Sequence, residues 1–535
     1  MREARRDPLV LAAALALLLA ALVPGSWLHG EPEPGDPDRL RLGAWLWRGA
    51  LALLGLFLLL TRRVGADEAA AHTRAGGRLD GLLLALLAAA LVLRCIELSA
   101  GMWFDEVWML VDFVRQPLAY LPRHFPTDNH HPLYSIAAWL SVRALGEGPV
   151  ALRLPAVLFG VGSVAALYAL GRYLIGRREA LWAALLLTLS YHHVWFSQNA
   201  RGYTGLLLFG LLACHGFLVA LETGSRRAWL LQGTSLALAS FLHVTGVLLA
   251  AAQLLIWLGR RRAAPACGLA LGALLSLVLH ALMLPQMVHF FLLHEDRVTV
   301  DAEWRSPWWT LLEAARSLGF GAALGLTALT LGALLLLAGL VSYARRHPAA
   351  ALHFALPGLL GAALLLGLGR NLWPRFFFFL AGFGLLIAVR GAHTLPAALG
   401  LRRPERWGSA LCAALALASA LVLPRAWSLP KQDFAAARRY VEDVLQPGER
   451  ALAVPLASFP LAAYYGGPFE EVLELAELER ALAEAGAVYV VYTLPIYLQS
   501  RAPALWAALA ARGEEVARFP GSVGGGDLVV LRLER

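Results

Sequence analysis

Two adjacent carboxylates, Asp105 and Glu106, are the residues best suited to chemistry, and they follow a long apolar run from Leu82 to Leu93. Carboxylates at the end of a membrane span are costly unless they face water or take part in function. Taken alone, the pair is explained simply as the start of an interfacial helix, because acids are favoured at helix N-termini. The polar residues of later loops favour a functional interpretation, because the charge pattern returns them to the same side of the membrane.

The later loops supply charged and hydrogen-bonding side chains: Asp128, His130, His131, Gln198, Arg201, Tyr203, Arg370 and Arg375. A carboxylate that accepts a proton, combined with guanidinium groups that bind a phosphate through two hydrogen bonds, can displace a phosphate leaving group. At a membrane surface such a group is naturally carried by a lipid. The arginines therefore predict donor-phosphate binding, whereas the two histidines, Gln198 and Tyr203 predict substrate positioning. The structural alternatives are that the histidines cap the helix at Pro132 and that the arginines extend to lipid head groups.

Motifs for other energy sources and cofactors are absent from the sequence. There is no Walker motif, no dinucleotide-binding fingerprint and no Cys/His spacing typical of a metal site. We therefore predict that the protein uses no cofactor and no metal. The absence of a nucleotide-binding motif disfavours a nucleotide-driven pump, so the energy for any reaction must come from the substrate itself. The glycine-rich stretch from Gly521 to Asp527 has no following helix and no lysine, so it predicts a hairpin turn instead of a phosphate loop. The four cysteines lie within or beside apolar runs, which favours buried thiols over a disulfide framework.

Composition identifies the class of protein. Hydrophobic residues make up 59% of the 535 residues and charged residues only 16%, whereas soluble globular proteins contain about 25% charged residues. The mean hydropathy of +0.61 also favours a polytopic membrane protein. The formal net charge of +9 comes from short basic clusters between apolar runs, which is the positive-inside pattern of a protein embedded in membrane lipids. This pattern excludes nucleic acid as a partner.

The apolar runs and basic clusters predict about 13 transmembrane helices in the cytoplasmic (inner) membrane, with the N-terminus cytoplasmic and the C-terminus extracytoplasmic. The first run, Leu9 to Val23, resembles a signal peptide, but we interpret it as a span because no cleavage site leads into a soluble domain. The acidic loop from Glu31 to Asp38 is placed outside. The run from Leu133 to Leu145 is shorter than the roughly 20 residues that a span requires, so it predicts an interfacial helix, whereas Ala180 to Phe196 predicts a full span.

These elements divide the chain into three parts. Residues 1–78 form two additional N-terminal spans, and residues 79–424 form a transmembrane catalytic module with an outer loop at 99–132. Residues 425–535 are predicted to form a small soluble α/β domain outside the membrane, because helix-like stretches alternate with β-branched runs. The predicted helices and strands of this domain are Phe434–Leu445, Leu452–Val454, Glu470–Ala485, Val488–Tyr492, Ala504–Arg512 and Leu528–Leu533.

Several motifs in this order resemble those of a known family. They are Trp103-Phe104-Asp105-Glu106, His131-Pro132-Leu133-Tyr134, Leu152-Arg153-Leu154-Pro155 and Ser197-Gln198-Asn199-Ala200-Arg201-Gly202-Tyr203. Together they resemble the bacterial protein-mannosyltransferase-like group, which belongs to the GT-C glycosyltransferase superfamily along with the aminoarabinose transferases of lipid A. The resemblance is specific over residues 82–221 and extends in topology alone to residue 423.

The resemblance implies an enzyme that takes a sugar from a polyprenyl-phosphate carrier on the outer face of the membrane and passes it to an acceptor. Asp105, with Glu106 beside it, is then expected to act at the acceptor nucleophile, while Arg201 and Arg375 hold the phosphate. The sequence departs from the family by having one proline after the histidine, Asn199 in place of an acid, and two additional spans. The missing acid removes a possible metal ligand, which favours a metal-independent mechanism.

We therefore expect a membrane glycosyltransferase that moves a hexose or pentose to a lipid, glycan or protein acceptor. A single acting carboxylate favours one direct, inverting displacement, by analogy with glycosidases. A flippase or transporter for a lipid carrier is the alternative, and it would favour polar groups at mid-membrane and two similar halves. A non-catalytic scaffold subunit is compatible with any topology. The sequence names neither the sugar nor the acceptor.

Overall fold

The computed structural model describes residues 8–23, 37–65, 80–293, 306–309, 312 and 322–534. Most of the predicted acidic loop from Glu31 to Asp38 lies outside these residues. Helices dominate the part of the chain that is described, and a small mixed sheet forms near the C-terminus.

The described residues before Lys431 form eighteen α-helices. In chain order they are α1 (Pro8–Ala20), α2 (Pro37–Thr61), α3 (Gly81–Cys95), α4 (Phe104–Trp108), α5 (Pro132–Leu145), α6 (Pro149–Ile175), α7 (Arg177–Leu189), α8 (Tyr191–Ser197), α9 (Tyr203–Thr223), α10 (Arg226–Leu242), α11 (Val247–Arg260), α12 (Ala263–His280), α13 (Leu284–Val288), α14 (Ala322–Arg346), α15 (Pro348–Gly367), α16 (Ala381–Ala398), α17 (Pro404–Val422) and α18 (Arg425–Ser428). Turns of π-helix follow α4 and α13, at Met109–Val114 and His289–Leu293, and 3₁₀ turns occupy Val244–Gly246 and Pro374–Leu380.

Eight helical segments of the described residues are long and apolar enough to cross a membrane: Asp38–Thr61, Pro149–Ile175, Tyr203–Thr223, Ala263–His280, Leu329–Arg346, Pro348–Gly367, Pro374–Ala398 and Pro404–Ser428. Shorter apolar helices occupy Val10–Ala20, Gly81–Cys95 and Val244–Arg260. The prediction of a polytopic helical membrane protein is confirmed. The count of about 13 spans stays a prediction, since length and composition support eight of them.

The segment between α6 and α9 differs from the sequence-based expectation. The segment predicted to span from Ala180 to Phe196 is not one continuous helix, because the structure divides it into α7 and α8 at Ser190. Its crossing of the membrane stays a prediction. The Ser190 side chain accepts a hydrogen bond from the His193 amide at 3.3 Å. Serine is favoured at this position because its oxygen satisfies an amide that has no partner within the helix, so a new helix begins there.

A buried arginine at the end of α3 positions the loop that follows α8. Arg94 donates hydrogen bonds to the Leu187 carbonyl (3.2 Å) and to Ser197 Oγ (3.2 Å). Buried charged groups are stable only when their hydrogen bonds are made. Arg94 therefore connects α3 to both α7 and α8, beside the main apolar cluster in which Leu207 and Phe383 are fully buried.

A five-stranded sheet, with strand order β2-β1-β3-β5-β4, forms the centre of the C-terminal domain. Its strands are β1 (Arg450–Ala453), β2 (Phe469–Glu471), β3 (Ala487–Tyr492), β4 (Glu514–Phe519) and β5 (Leu528–Glu534), and its helices are α19 (Phe434–Val444), α20 (Ser458–Pro460), α21 (Leu475–Glu484), α22 (Pro495–Arg501) and α23 (Pro503–Arg512). Strand β1 is parallel to β2 and β3, whereas β5 is antiparallel to β3 and β4. Alternate residues of β3 and β5 belong to two separate apolar clusters, so both faces of the sheet are buried. The predicted α/β character is confirmed.

Two edge strands were not predicted. The helix expected over Glu470–Ala485 begins only at Leu475, because Phe469–Glu471 pairs with β1 as β2. Strands β2 and β4 are short or largely exposed, so the alternation of apolar and polar residues that identifies a strand is weak in both. The stretch Gly521–Asp527 joins antiparallel β4 and β5, which confirms the hairpin.

Candidate active site

Three predicted site residues from distant parts of the chain meet around one carboxylate oxygen. Asp105 lies in α4, Arg201 lies just before α9, and Arg375 lies in the 3₁₀ turn Pro374–Leu380. Arg201 Nε is 3.8 Å and Arg375 Nη1 is 3.6 Å from Asp105 Oδ2. These distances permit charge attraction but are too long for hydrogen bonds. Asp105 Oδ2 is buried and accepts no hydrogen bond from the described residues.

Glu106 has the opposite surroundings. Its side chain is 0% exposed, and its Oε1 accepts hydrogen bonds from Arg153 Nε (2.8 Å) and from the Ala200 amide (2.9 Å). Its Oε2 accepts from Arg153 Nη2 (2.5 Å) and from the Trp103 amide (3.4 Å). An ionised carboxylate offers about four acceptor positions. All of them are occupied by protein donors, which leaves Glu106 no position for a substrate proton.

Electrostatics keep Glu106 ionised in this environment. Burial disfavours the charged carboxylate, but the Arg153 guanidinium, through its charge and its hydrogen bonds, and the nearby Lys431 outweigh burial and hold the pKa of Glu106 below its usual value. Arg153 also donates to the carbonyls of Leu98 (2.9 Å) and Gly101 (2.9 Å). The pair therefore fixes the chain between α3 and α4.

The first turn of α4 separates the two carboxylates. Successive residues of an α-helix point about 100° apart, so Asp105 and Glu106 face different surroundings. Trp103, which precedes α4, donates from its indole Nε1 to Asn199 Oδ1 at 3.0 Å. This bond, together with that from the Ala200 amide to Glu106, connects α4 to the loop between α8 and α9. Arg201 is brought to Asp105 by this connection.

Three buried histidines lie beside the two arginines. The Gly202 amide donates to His131 Nδ1 at 3.3 Å, so in the neutral ring His131 Nε2 carries the proton and is a donor. Gly202 permits this close approach, since a Cβ there would lie 2.9 Å from the same nitrogen. Burial lowers the pKa of His130 and of His243 to about 3, and that of His131 well below its usual value, and the neighbouring arginines lower them further. All three rings are therefore neutral near neutral pH.

A group of buried polar atoms in this region has no hydrogen-bond partner among the described residues. The group comprises Asp105 Oδ2, Asn129 Nδ2, His130 Nδ1 and Nε2, His131 Nε2, Arg201 Nε and Arg375 Nε. Native proteins leave few such atoms, and each calls for an explanation. Most of these atoms are donors, so the arrangement fits an anionic ligand held next to a carboxylate that can accept a proton.

Comparisons with known proteins bear on this arrangement. Residues 129–289 match the family described as dolichyl-phosphate-mannose-protein mannosyltransferase. The structure is similar to that of ArnT from Cupriavidus metallidurans bound to undecaprenyl phosphate, with a TM-score of 0.51 and 14% identity over 84% of this chain and 98% of that one. The apo oligosaccharyltransferase of Archaeoglobus fulgidus gives a TM-score of 0.52 and 13% identity over 81% and 72% of the two chains. A complex of AglB from the same archaeon with an inhibitory peptide and a dolichol-phosphate gives 0.50 and 13% over the same shares. No curated protein sequence matches.

The chain has the fold of the GT-C membrane glycosyltransferases. The resemblance drawn from the sequence motifs is confirmed at this level. The segment matched by the family contains His130, His131 and Arg201 but neither Asp105 nor Arg375. The assignment of Asp105 and Arg375 to the site therefore rests on geometry alone.

Of three other predicted residues, Gln198 and Arg370 lie apart from the arginine pair, whereas Tyr203 lies beside the histidines of the site. Gln198 donates from Nε2 to the carbonyls of Arg94 (3.2 Å) and Ile96, so its side chain serves the end of α3. Tyr203 is buried, with its ring 5.3 Å from that of His131 and 5.6 Å from that of His243. Arg370 makes no ion pair with any described residue and does not join Arg201 and Arg375 at Asp105.

Sequence reasoning assigned no role to three residues that the structure brings to the site. Arg153 was visible in the motif Leu152-Arg153-Leu154-Pro155, but its pairing with Glu106 was not. His243 stood alone in the sequence, and its ring lies 4.9 Å from that of His131. Lys431 is the only lysine in the 535 residues. This could have indicated a specific role for Lys431, but the sequence alone was not used to assign one.

Proposed function

We propose that this GT-C protein transfers a sugar from a polyprenyl-phosphate-linked donor to an acceptor at the outer face of the cytoplasmic membrane. The observation that carries the proposal is the meeting of Arg201 and Arg375 at the unpartnered oxygen of Asp105. Similar structures were solved with undecaprenyl phosphate in ArnT and with a dolichol-phosphate in AglB, which supports a lipid-phosphate donor.

The roles follow from the chemistry of each group. Asp105 removes the proton of the acceptor as the acceptor atom bonds to the anomeric carbon of the sugar. The bond between that carbon and the phosphate oxygen breaks, and its electron pair leaves with the lipid phosphate. Arg201 and Arg375 stabilise the negative charge that develops on the phosphate. Glu106 does not take part in the chemistry in this proposal, because its acceptor positions are occupied.

The charges of the site support an anionic ligand. The guanidinium groups of Arg201 and Arg375 lie 3.8 and 3.6 Å from Asp105 Oδ2. The neighbouring histidines are neutral near neutral pH and add donors without adding charge. A phosphate beside the two guanidinium groups fits this arrangement.

The remaining parts of the proposal concern location and substrate. The basic clusters support a cytoplasmic N-terminus and an extracytoplasmic C-terminal domain. We divide the chain into two N-terminal spans (1–78), a catalytic module (79–424) and the C-terminal domain (425–535). The transferred group is a hexose or a pentose, and the acceptor is a lipid, glycan or protein. The flippase alternative gains no support from the matches, which are to transferases.

The experiment uses the purified full-length protein in lipid nanodiscs with a panel of undecaprenyl-phosphate-linked hexoses and pentoses. Membrane extracts of the source organism supply the acceptor, and mass spectrometry follows both the released undecaprenyl phosphate and the glycosylated product. We expect transfer from at least one donor, with Asp105→Asn lowering the rate by about 10²–10⁴, the usual contribution of a general base.

Asp112→Asn is the matched control, because it makes the same substitution in the π-helical turn directly after α4 and away from the arginines. Asp112→Asn is expected to keep the wild-type rate. Movement of the intact lipid-linked sugar across a membrane without cleavage, or full transfer by Asp105→Asn, would contradict the proposal.

A further inference from the structure

The C-terminal domain contacts the loops that carry the candidate active site. The Tyr465 hydroxyl donates to the Met102 carbonyl at 2.6 Å, and Phe459 packs against the rings of Phe104 and Trp108 at centroid distances of 5.9 and 5.5 Å. These contacts lie on both sides of Asp105 in the sequence. The domain therefore packs directly against α4.

Lys431 and Gln432 form the junction between the membrane module and the C-terminal domain. They bind the loop that carries Arg201 and the segment that carries Asp105. Lys431 is buried, and its Nζ donates to the Gln198 carbonyl at 2.6 Å, three residues before Arg201. Gln432, the next residue, accepts through Oε1 a hydrogen bond of 3.0 Å from the Phe104 amide, one residue before Asp105. Two consecutive side chains thus hold the backbone beside the two charged residues of the site.

The domain in turn holds these two residues in place. Gln432 Nε2 donates to Thr493 Oγ1 at 3.0 Å, directly after β3. The Val523 amide donates to the Lys431 carbonyl at 3.3 Å, and Ser522 Oγ accepts from the indole of Trp195 at 2.9 Å. The turn between β4 and β5 therefore contacts both Lys431 and α8. Lys431 Nζ also lies 5.1 Å from the centroid of the Trp195 ring.

We propose that Lys431 is a positioning residue of the transfer reaction, which together with Gln432 connects the C-terminal domain to the loops of Asp105 and Arg201 and holds these two residues at their catalytic separation. This inference rests on the proposed function and adds to it a role for the C-terminal domain. Holding reacting groups in place is worth a large part of catalysis, since a misplacement of 1 Å can lower a rate by about a hundredfold.

The use of lysine at this one position supports the inference. The sequence contains 46 lysine and arginine residues, and all of them except Lys431 are arginines. An ammonium side chain therefore occurs at this position alone. The Lys431 ammonium is a compact charge that shifts its pKa readily when buried, whereas an arginine stays charged and carries five donors to satisfy.

Lys431 also gives the junction a pH dependence. Burial lowers the pKa of Lys431 to about 7, opposed by the negative charge of Glu106 and reinforced by the positive charge of Arg153, the two charged groups that face it from α4 and α6. As the pH rises through this value the ammonium loses its proton and its hydrogen bond to the Gln198 carbonyl weakens. The turnover number should therefore fall on the alkaline side of neutral pH.

The principal test compares Lys431→Met with wild type in the transfer assay. We expect kcat to fall by about a hundredfold, while the affinity for undecaprenyl phosphate changes by less than about twofold, since Lys431 acts through the backbone of Gln198. Lys431→Arg retains a permanent charge, so it should recover part of kcat and lose the alkaline decline. Arg439→Met, on the exposed face of α19, is the matched control and should behave as wild type.

Gln432→Ala provides a second test if Lys431→Met does not fold. It removes the acceptor of the Phe104 amide and should lower kcat without changing undecaprenyl phosphate affinity. Wild-type kcat in folded Lys431→Met overturns the inference, and where that variant does not fold, wild-type kcat in Gln432→Ala does so. An equal alkaline decline in wild type and Lys431→Arg also overturns it.

The single lysine also permits a test that does not depend on activity. Protein labelled with 13Cε-lysine should give one side-chain lysine signal by NMR, which titrates near pH 7. Titration near the unperturbed value of about 10.4 would contradict the pH dependence of the junction, because the ammonium would then stay charged on the alkaline side of neutral pH. The absence of transfer by the wild-type protein from every donor contradicts the proposed function, whereas wild-type transfer with an unaffected Lys431→Met contradicts only the role of Lys431.

Discussion

Asp105 and Glu106 are neighbours in the chain and carry the same functional group, yet the regions around them differ in every respect that affects chemistry. Glu106 is enclosed by four donors from Arg153, Ala200 and Trp103. Asp105 has two guanidinium groups at 3.6 and 3.8 Å but no donor at its buried Oδ2. All acceptor positions of Glu106 are therefore occupied without a substrate, whereas Asp105 Oδ2 still lacks a hydrogen-bond donor.

The difference in hydrogen bonding distinguishes a carboxylate that stabilises the fold from one that is available for a reaction. A buried charge with all of its hydrogen bonds made has no acceptor left for a substrate and stabilises one arrangement of the loops. A buried polar atom without a partner costs folding free energy, so a site that contains several of them is explained best by a ligand that supplies the missing partners. By this criterion the Glu106–Arg153 pair holds the site together, and Asp105 with its arginines performs the reaction.

Breaking the Glu106–Arg153 pair is expected to have the largest effect, and the effect is on stability. Glu106→Gln leaves the Arg153 guanidinium buried without a counter-charge, and removing one partner of a buried pair costs about 3–5 kcal/mol. A double-mutant cycle with Glu106→Gln and Arg153→Gln, followed by denaturant unfolding in micelles, measures the coupling. Additive losses, or Glu106→Gln with wild-type stability, would show that the two regions do not differ in this way.

Replacing the arginines at Asp105 is expected to have an intermediate effect, on donor binding. A hydrogen bond to a charged group contributes about 1.5–3 kcal/mol, so Arg201→Lys and Arg375→Lys should each weaken the binding of undecaprenyl phosphate by roughly tenfold to a hundredfold. Lysine cannot replace the planar guanidinium, which binds a phosphate through two bonds. Arg370→Lys is the control, and an equal loss in that variant would indicate a general effect of surface charge.

The smallest effect is expected at His130, whose ring stacks on Phe113 at a centroid distance of 4.3 Å. His130→Phe keeps the stacking and removes two unpartnered nitrogens. A neutral hydrogen bond contributes about 0.5–1.5 kcal/mol, so undecaprenyl phosphate should bind about two- to tenfold more weakly.

The stability of His130→Phe should not fall, and its response to acid should change. Because the pKa of His130 is lowered to about 3, the unfolded chain binds the proton first as the pH falls below about 6.5. Wild type therefore loses stability in this range, and His130→Phe should lose less. His215→Phe in α9 is the control; a loss of stability in His130→Phe alone would indicate that the nitrogens serve the fold.

Much of the site could be predicted because its residues follow membrane spans. Charge clusters between apolar runs placed the loops of Asp105, Arg201 and Arg375 on one face, and the structure brings the three side chains together. The C-terminal α/β domain was predictable from its buried strands, because β3 is apolar throughout and β5 begins with four apolar residues, Leu528–Leu531. Edge strand β4 was not, because none of its side chains is fully buried and its burial pattern does not alternate.

The partners of buried charges could not be predicted from the sequence. Glu106 and Arg153 are 47 residues apart, and Lys431 lies 233 residues from its acceptor in Gln198. No local pattern connects such pairs, since tertiary packing alone brings them together. For the same reason Gln198 was predicted to position a substrate, whereas its amide donates to the backbone at the end of α3.

The most direct test of the division between the two carboxylates measures transfer rate and thermal stability on the same preparations of Asp105→Asn and Glu106→Gln. Asp105→Asn removes a carboxylate whose buried Oδ2 accepts no hydrogen bond, so its melting temperature should stay closer to that of wild type than that of Glu106→Gln does. Its transfer rate should fall by about 10²–10⁴. Glu106→Gln should melt at a lower temperature and, in the fraction that stays folded at a permissive temperature, transfer faster than Asp105→Asn. The opposite pattern, in which Glu106→Gln is stable but inactive while Asp105→Asn transfers normally, would contradict the account.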